Sequence, residues 1–216
     1  MAKFILESTK SQLITDLINK GITDQLVIQA ISRVPRERFV HPAFVKNSYH
    51  DISLPIGCEQ TISQPFTVAY MSQLLELQPN MNVLEIGTGS GYQAAVLAEI
   101  GVRVTSVERQ KDLSESSAKL LQELGYNVTV VFGDGTNGCQ SNAPYDRIII
   151  TAGAPDIPKT LLYQLSIHGK MVLPVGNEKQ QQMHIITRNE KDDFDVFVSK
   201  ENFSFVPLIG EHGWNK

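Results

Sequence analysis

The sequence predicts an α/β fold: a mostly parallel β-sheet between layers of helices, extended by antiparallel strands near the carboxy terminus and preceded by a helical segment. Three observations predict it. After Asn80, short apolar runs rich in Val and Ile alternate with amphipathic segments, the pattern of repeated strand-helix units. Those runs are apolar at consecutive positions, as strands covered on both faces must be. From Lys170 onward, strand-like runs follow one another with no helical pattern between them.

Taken in order, Leu13, Ile14, Leu17 and Ile18 recur at helical spacing before Gly21, and Val27, Ile28 and Ile31 repeat the pattern until Pro35 stops it. Both helices read as packing elements. Residues 39–57 have no periodicity and carry Pro42 and Pro55. A helix is predicted from Pro65, because proline is tolerated in a first turn and Val68, Ala69, Met71, Leu74 and Leu75 supply an apolar face. Ser63 and Gln64 then fall at or just before its amino end. Strands are read at 82–86, 102–107, 128–132 and 147–151, and helices near 92–100, 111–124 and 158–165. The runs at 170–174, 182–188, 194–199 and 203–206 are expected to add antiparallel strands at the sheet edge.

The chain has 216 residues, 42% of them hydrophobic and 19% charged. A chain of this length buries about 70% of the surface that it exposes when unfolded, so its core needs no metal or disulfide. The net charge of −4, with no basic run to follow a phosphate backbone, makes nucleic acid a poor partner. The first residues hold no secretory signal, and no apolar run reaches the ~18 residues of a membrane span. A cytoplasmic protein with no membrane partner is expected. Cys58 and Cys139 lack metal-ligand spacing and read as free thiols. His41, His50, His168, His184 and His212 likewise show no ligand spacing, and Trp214 reads as an anchoring hydrophobe.

The chemistry concentrates in Val83-Leu84-Glu85-Ile86-Gly87-Thr88-Gly89-Ser90-Gly91-Tyr92, a strand entering a glycine-rich turn that opens a helix. Glycines let the backbone turn sharply and let a ligand approach without meeting a Cβ, while the helix start offers unpaired N–H groups. The next strand ends in Val107-Glu108, where an acidic side chain accepts hydrogen bonds from ribose hydroxyls. Tyr92 stands where a dinucleotide-binding turn wants a small residue, which favours S-adenosylmethionine over NAD. Asp134, in Gly133-Asp134-Gly135 after the third strand, is a candidate acceptor for the adenine amino group.

Gln60-Thr61-Ile62-Ser63-Gln64-Pro65, the 83–92 turn, Ser106-Val107-Glu108-Arg109, Gly133-Asp134-Gly135, Ala143-Pro144-Tyr145-Asp146 and Phe205-Val206-Pro207-Leu208 resemble, in order and over nearly the whole chain, the protein-L-isoaspartate O-methyltransferase family. The resemblance implies a single domain over 1–216, with a helical extension at 1–58 and a catalytic core at 59–216. It implies the S-adenosylmethionine-dependent methyltransferase (Rossmann-like) fold with rearranged carboxy-terminal strands. It further implies a monomeric repair enzyme that methylates the free α-carboxylate of L-isoaspartyl residues in damaged proteins and peptides. The methyl donor would be S-adenosyl-L-methionine and the product S-adenosyl-L-homocysteine. By the same resemblance Ser63 is the active-site serine. The cofactor would be bound by Gln60, Thr61, Ile62, Ser63, Glu85, Gly87, Thr88, Gly89, Ser90, Gly91, Glu108, Asp134 and Gly135, and the substrate by Thr61, Ser63, Phe205, Val206, Pro207 and Leu208. The chain departs from the family at Cys58-Glu59-Gln60 and at Thr136, where a tryptophan is frequent.

Such a reaction needs no strong base, since a carboxylate with a pKa of about 3.9 is already ionised at neutral pH. Ser63 read from spacing alone is a simple N-cap serine, and it is the resemblance that turns the reading toward the acceptor. A small-molecule carboxyl methyltransferase, another S-adenosylmethionine-dependent methyltransferase, an NAD-dependent oxidoreductase and a non-catalytic adenosyl-binding module remain as rivals. Asn137-Gly138 is a turn signal and also a bond prone to isoaspartate formation, so the chain is a candidate substrate for itself.

Overall fold

The computed structural model describes residues 2–215, with side chains from Leu6 onward. Two helices open the chain, α1 (Ala2–Asn19) and α2 (Gln25–Arg33). Asp24 caps α2 by accepting from the N–H groups of Leu26 and Val27, and Val27, Ile28, Ala30 and Ile31 form its buried stripe. After a stretch of short 3₁₀ turns comes a hairpin, β1 (Leu54–Gly57) and β2 (Gln60–Ile62), and then α3 (Pro65–Leu74). The hairpin was not legible in the sequence. Its turn residues Cys58 and Glu59 both adopt positive φ (49° and 58°) without the Asn-Gly or Asp-Gly chemistry that announces such a turn. Its two strands lie on either side of residue 58, so the boundary expected between 58 and 59 falls inside one hairpin.

The strand-helix alternation then follows as β3 (Asn82–Ile86), α4 (Tyr92–Ile100), β4 (Arg103–Glu108), α5 (Lys111–Glu123), β5 (Val128–Phe132), β6 (Tyr145–Ile150), α6 (Lys159–Leu162), β7 (Leu165–Gly176), β8 (Gln181–Arg188) and β9 (Phe194–Phe203). The seven-stranded sheet has the order β5-β4-β3-β6-β7-β8-β9. Strands β5 through β7 are parallel, and β8 and β9 are antiparallel to their neighbours. Three expectations are corrected. The run at 170–174 lies within β7, which pairs parallel to β6, so the antiparallel edge begins one strand later. The run at 203–206 is not a strand of its own: β9 ends at Phe203, and beyond it Pro207 bridges Gly153 and Trp214 bridges Ile209. The helix expected at 158–165 is a single turn, because Leu165 already belongs to β7.

Val83, Leu84 and Ile86 of β3 are buried, as the apolar pattern demanded, and Glu85 is buried among them. One face of the sheet packs with α1 to α4 in a cluster that includes Leu13, Leu17, Val27, Ile31, Val68 and Leu97. The other face packs Leu84, Ile86, Ile148, Ile150, Leu161 and Leu208. A short 3₁₀ turn at Gly135–Asn137 closes with the Gly138 N–H donating to Gly135 O (2.9 Å) and Gln164 Nε2 donating to Asn137 O (2.8 Å). No helix among the described residues is long and apolar enough to cross a membrane.

Candidate active site

The chain steps outward from β3 to β4 to β5 and then returns to β6 on the other side of β3. At such a reversal the loops leave in opposite directions and open a crevice at the carboxyl ends of the two central strands. Gly87 follows β3 and Thr151 follows β6, so these residues face each other across it. The Thr151 hydroxyl donates to Gly87 O (2.7 Å), and a Cβ on Gly87 would stand 2.6 Å from Thr151 Oγ1. Gly87 also holds φ +94°, so only glycine fits there. Within the turn, the Gly87 N–H donates to Val107 O and that of Gly91 to Thr88 O. The N–H groups of Thr88 and Ser90 have no acceptor among the described residues and remain available at the amino end of α4.

Glu108 closes β4 beside this turn and is 5% exposed. Its Oε2 accepts from the Gly89 N–H (2.9 Å) and its Oε1 from the Gln110 N–H (2.8 Å), which fixes the carboxylate on the crevice wall. Glu85 behaves differently. It is fully buried, its Oε2 accepts from Ser106 Oγ (2.5 Å), and Ser106 Oγ shares a further hydrogen bond with Thr88 Oγ1 (2.6 Å). Burial pushes the Glu85 pKa up to about 8, with the negative charge of Glu108 adding to the rise against the Ser106 hydrogen bond.

Three cavities meet in the crevice. The first is walled by Glu108 and Gly135 on one side and by Pro207 and Leu208 on the other. The second runs inward between the glycine-rich turn and α3, past Ile62, Ser63 and Tyr92. The third, about 520 Å³, opens outward between Ser63, Phe66, Phe205 and Val206. Thr61 and Thr151 border all three, and Ser63 borders the inner and outer ones. The Ser63 hydroxyl has no hydrogen-bond partner among the described residues, and the N-cap of α3 is Gln64. A capping role for Ser63 is thereby removed.

Most of the residues singled out in the sequence gather here: Gln60, Thr61, Ile62, Ser63, Gly87, Thr88, Gly89, Ser90, Glu108 and Gly135 border the first two cavities. Gly91 lies behind them, its left-handed conformation (φ +88°) starting α4. Two further expected ligand contacts are not on these walls either. Glu85 reaches the crevice only through Ser106 and Thr88. Asp134 spends its carboxylate on the protein, with Oδ1 accepting from the Thr136 N–H and hydroxyl and Oδ2 from the Glu211 N–H. Burial acts to raise the Asp134 pKa, but these hydrogen bonds outweigh it and hold it below the ordinary value. The expected substrate strand also divides: Phe205 and Val206 border the outer cavity, whereas Pro207 and Leu208 border only the first.

Three contributors went unread in the sequence. Thr151 sits one residue past a strand end, the position that this topology favours for function. Gln181 is buried, and its Oε1 accepts from the Phe205 N–H (2.9 Å), so it sets the outer wall from a strand far along the chain. Arg36 donates to the Ser63 carbonyl from outside every recognisable motif. Among the described residues, no cluster of His, Cys, Asp or Glu has the makings of a metal site.

Residues 8–213 match the family model described as protein-L-isoaspartate(D-aspartate) O-methyltransferase. A protein-L-isoaspartate O-methyltransferase of Cytophaga hutchinsonii is 49% identical, over 98% of this chain and 96% of that protein. One of Flavobacterium psychrophilum is 48% identical, over 94% of this chain and 95% of that protein. Among solved structures, a protein-L-isoaspartate O-methyltransferase superposes with a TM-score of 0.80 at 29% identity, covering 94% of this chain and 67% of the other. A Plasmodium falciparum protein of the same description, in complex with S-adenosyl-L-homocysteine, shares the fold with a TM-score of 0.79 at 23% identity, covering 93% of this chain and 98% of the other.

Proposed function

Because the chain belongs to the protein-L-isoaspartate(D-aspartate) O-methyltransferase family, we propose that Ser63 orients the free α-carboxylate of an L-isoaspartyl residue for methylation by S-adenosylmethionine, the first step in repair of the damaged protein. The observation that carries this reading is the unpartnered Ser63 hydroxyl where an inner, turn-facing cavity meets an outer one of about 520 Å³. The donor set fits the cofactor: free Thr88 and Ser90 N–H groups suit its amino-acid carboxylate, Glu108 suits the ribose hydroxyls, and Ile86, Val107 and Leu208 offer apolar cover for the base. When bound, S-adenosylmethionine supplies a methyl group on a positively charged sulfur, and S-adenosylhomocysteine is the product.

The chain's task is then placement. An acceptor carboxylate is ionised at neutral pH, so no residue has to remove a proton. Charge is neutralised as the ester forms, and a dry site that aligns the acceptor favours this change. Thr61 and Ser63 hold the acceptor from one side, Phe205 and Val206 from the other. On this reading isoaspartyl proteins and peptides are the partners, and the chain works as a cytoplasmic monomer with residues 1–58 serving the 59–216 core.

Two variants test the assignment. Ser63→Ala is expected to lower turnover about tenfold or more through loss of alignment, with cofactor affinity unchanged. Since Gln64 and not Ser63 caps α3, its melting temperature should match the parent, so a variant that melts early with normal turnover would overturn the role. Glu108→Ala should weaken S-adenosylmethionine binding by roughly 1.5–3 kcal/mol, the range for hydrogen bonds to a charged group, while sparing the chemical step. Calorimetry giving parental affinity alongside a lost rate would assign Glu108 another task.

A further inference from the structure

Arg36 is 0% exposed, and no carboxylate among the described residues forms an ion pair with it. Its guanidinium is instead spread over backbone. Nε donates to Ser48 O (2.8 Å), and Nη2 donates to Ser63 O (2.8 Å) and, at longer range, to Ile52 O (3.4 Å). Its Cζ lies 4.7 Å from the centre of the Tyr92 ring. Tyr92 is the first residue of α4 and borders the inner cavity, as Ser63 does. One cation therefore stacks on the wall attached to the glycine-rich turn while gripping the backbone of the wall that carries the acceptor-orienting hydroxyl.

The next residues are held from the same side of the chain. Gln64 caps α3 without any side-chain hydrogen bond, and the orphan N–H of Phe66 donates to Asp51 Oδ1 (2.7 Å). Asp51 Oδ2 in turn accepts from Lys20 Nζ (2.6 Å). Ser63 thus has its own carbonyl fixed by Arg36 and the helix start beyond it fixed by Asp51, both supplied by the 1–58 segment.

Burying a charge with no ion-pair partner, only the Asp51 carboxylate acting on it from farther off, is costly, and a plain packing role at this depth is better filled by an apolar side chain. What a guanidinium adds is a rigid planar fork that addresses several acceptors in set directions while its face lies on an aromatic ring. The residue at position 92 also gains a reason to be large, since a small residue there would leave the Arg36 face without its partner.

We infer that Arg36 and Asp51 are positioning residues for methyl transfer, fixing the backbone of Ser63 against Tyr92 and the glycine-rich turn. The inference rests on the assignment of Ser63 to the acceptor. It is tested on the full chain with Arg36→Lys, Asp51→Ala, Asp51→Asn and Leu17→Ala. Leu17, 1% exposed in α1, borders none of the three cavities and reports loss of stability alone.

Arg36→Lys and Asp51→Ala are expected to lower kcat on an isoaspartyl peptide about ten- to a hundredfold, because sub-ångström misplacement is read directly in rate, with S-adenosylmethionine Kd held within about twofold. Asp51→Asn, whose side-chain oxygen still accepts from Phe66, should stay near the parent. Leu17→Ala should melt earlier with kcat unchanged. Parental kcat in folded Arg36→Lys and Asp51→Ala would overturn the inference, as would an equal kcat loss in Leu17→Ala or a failure of Asp51→Asn to restore the rate. Asp51 is partly exposed, so its pair of variants decides the matter even where Arg36→Lys does not fold. A parent chain that binds cofactor but esterifies no isoaspartyl peptide would refute the proposed function itself, an outcome distinct from an active parent with active variants.

Discussion

A peptide containing L-isoaspartate should be esterified about 100-fold or more faster than the same peptide containing L-aspartate, because a misplacement of about one bond length costs that much in an aligned reaction. Both acceptors are carboxylates of similar basicity, so intrinsic reactivity offers no discrimination. In isoaspartate the main chain runs through the side-chain carbons, and the free carboxylate is attached directly to Cα. In aspartate a methylene intervenes. A peptide held between Thr61 and Ser63 on one side and Phe205 and Val206 on the other has its backbone at a set distance from the inner cavity. Only one of the two carboxylates then reaches Ser63. Paired peptides differing in this linkage alone, assayed for methyl ester, check the expectation. Equal rates would refute it.

Gly89→Val should weaken S-adenosylmethionine binding roughly 100-fold or more, combining about 1–3 kcal/mol of backbone strain with the loss of a charge-assisted hydrogen bond. Gly89 stands at φ +52°, where a β-branched residue is a strong outlier, and a Cβ there would point at Ile56 Cδ1, 3.4 Å away on β1. The same residue's N–H holds Glu108 Oε2, so a distorted turn also releases the carboxylate proposed for the ribose. Far-UV circular dichroism should show an intact fold and calorimetry a lost ligand. Parental affinity in the folded variant would count against the turn as the cofactor's seat.

Much of this architecture was legible because its signals are local. Consecutive Val and Ile mark strands buried on both faces, Asp24 and Pro65 mark helix starts, and the run from Val83 to Tyr92 carries its turn in its own glycines. What stayed hidden depends on partners distant in sequence. Leu165 reads as the end of a helix until its pairing with Tyr145 makes it a strand residue. Nothing local to Asp134 says that Glu211, from the far end of the chain, donates to its carboxylate. Arg36 sits in an unremarkable Pro-Arg-Glu-Arg stretch, and nothing local says that it addresses Ser48, Ile52 and Ser63. Thr151 needed the strand order, since only the reversal at β3 makes the residue after β6 face the glycine-rich turn.

The turn that ends in Asn137-Gly138 bears on how this protein itself ages. Succinimide formation, the route from asparagine to isoaspartate, requires the nitrogen of the following residue to attack the asparagine side-chain carbon. Here that nitrogen is engaged with Gly135 O, and the Asn137 carbonyl is clamped by Gln164. The side-chain amide is itself turned toward Glu211 (3.3 Å). Cyclisation must wait for the turn to open, so damage at this bond follows the frequency of local unfolding and not the intrinsic reactivity of an Asn-Gly pair. The most damage-prone dipeptide in a repair enzyme is thereby kept out of the pool of substrates for as long as the fold around it holds.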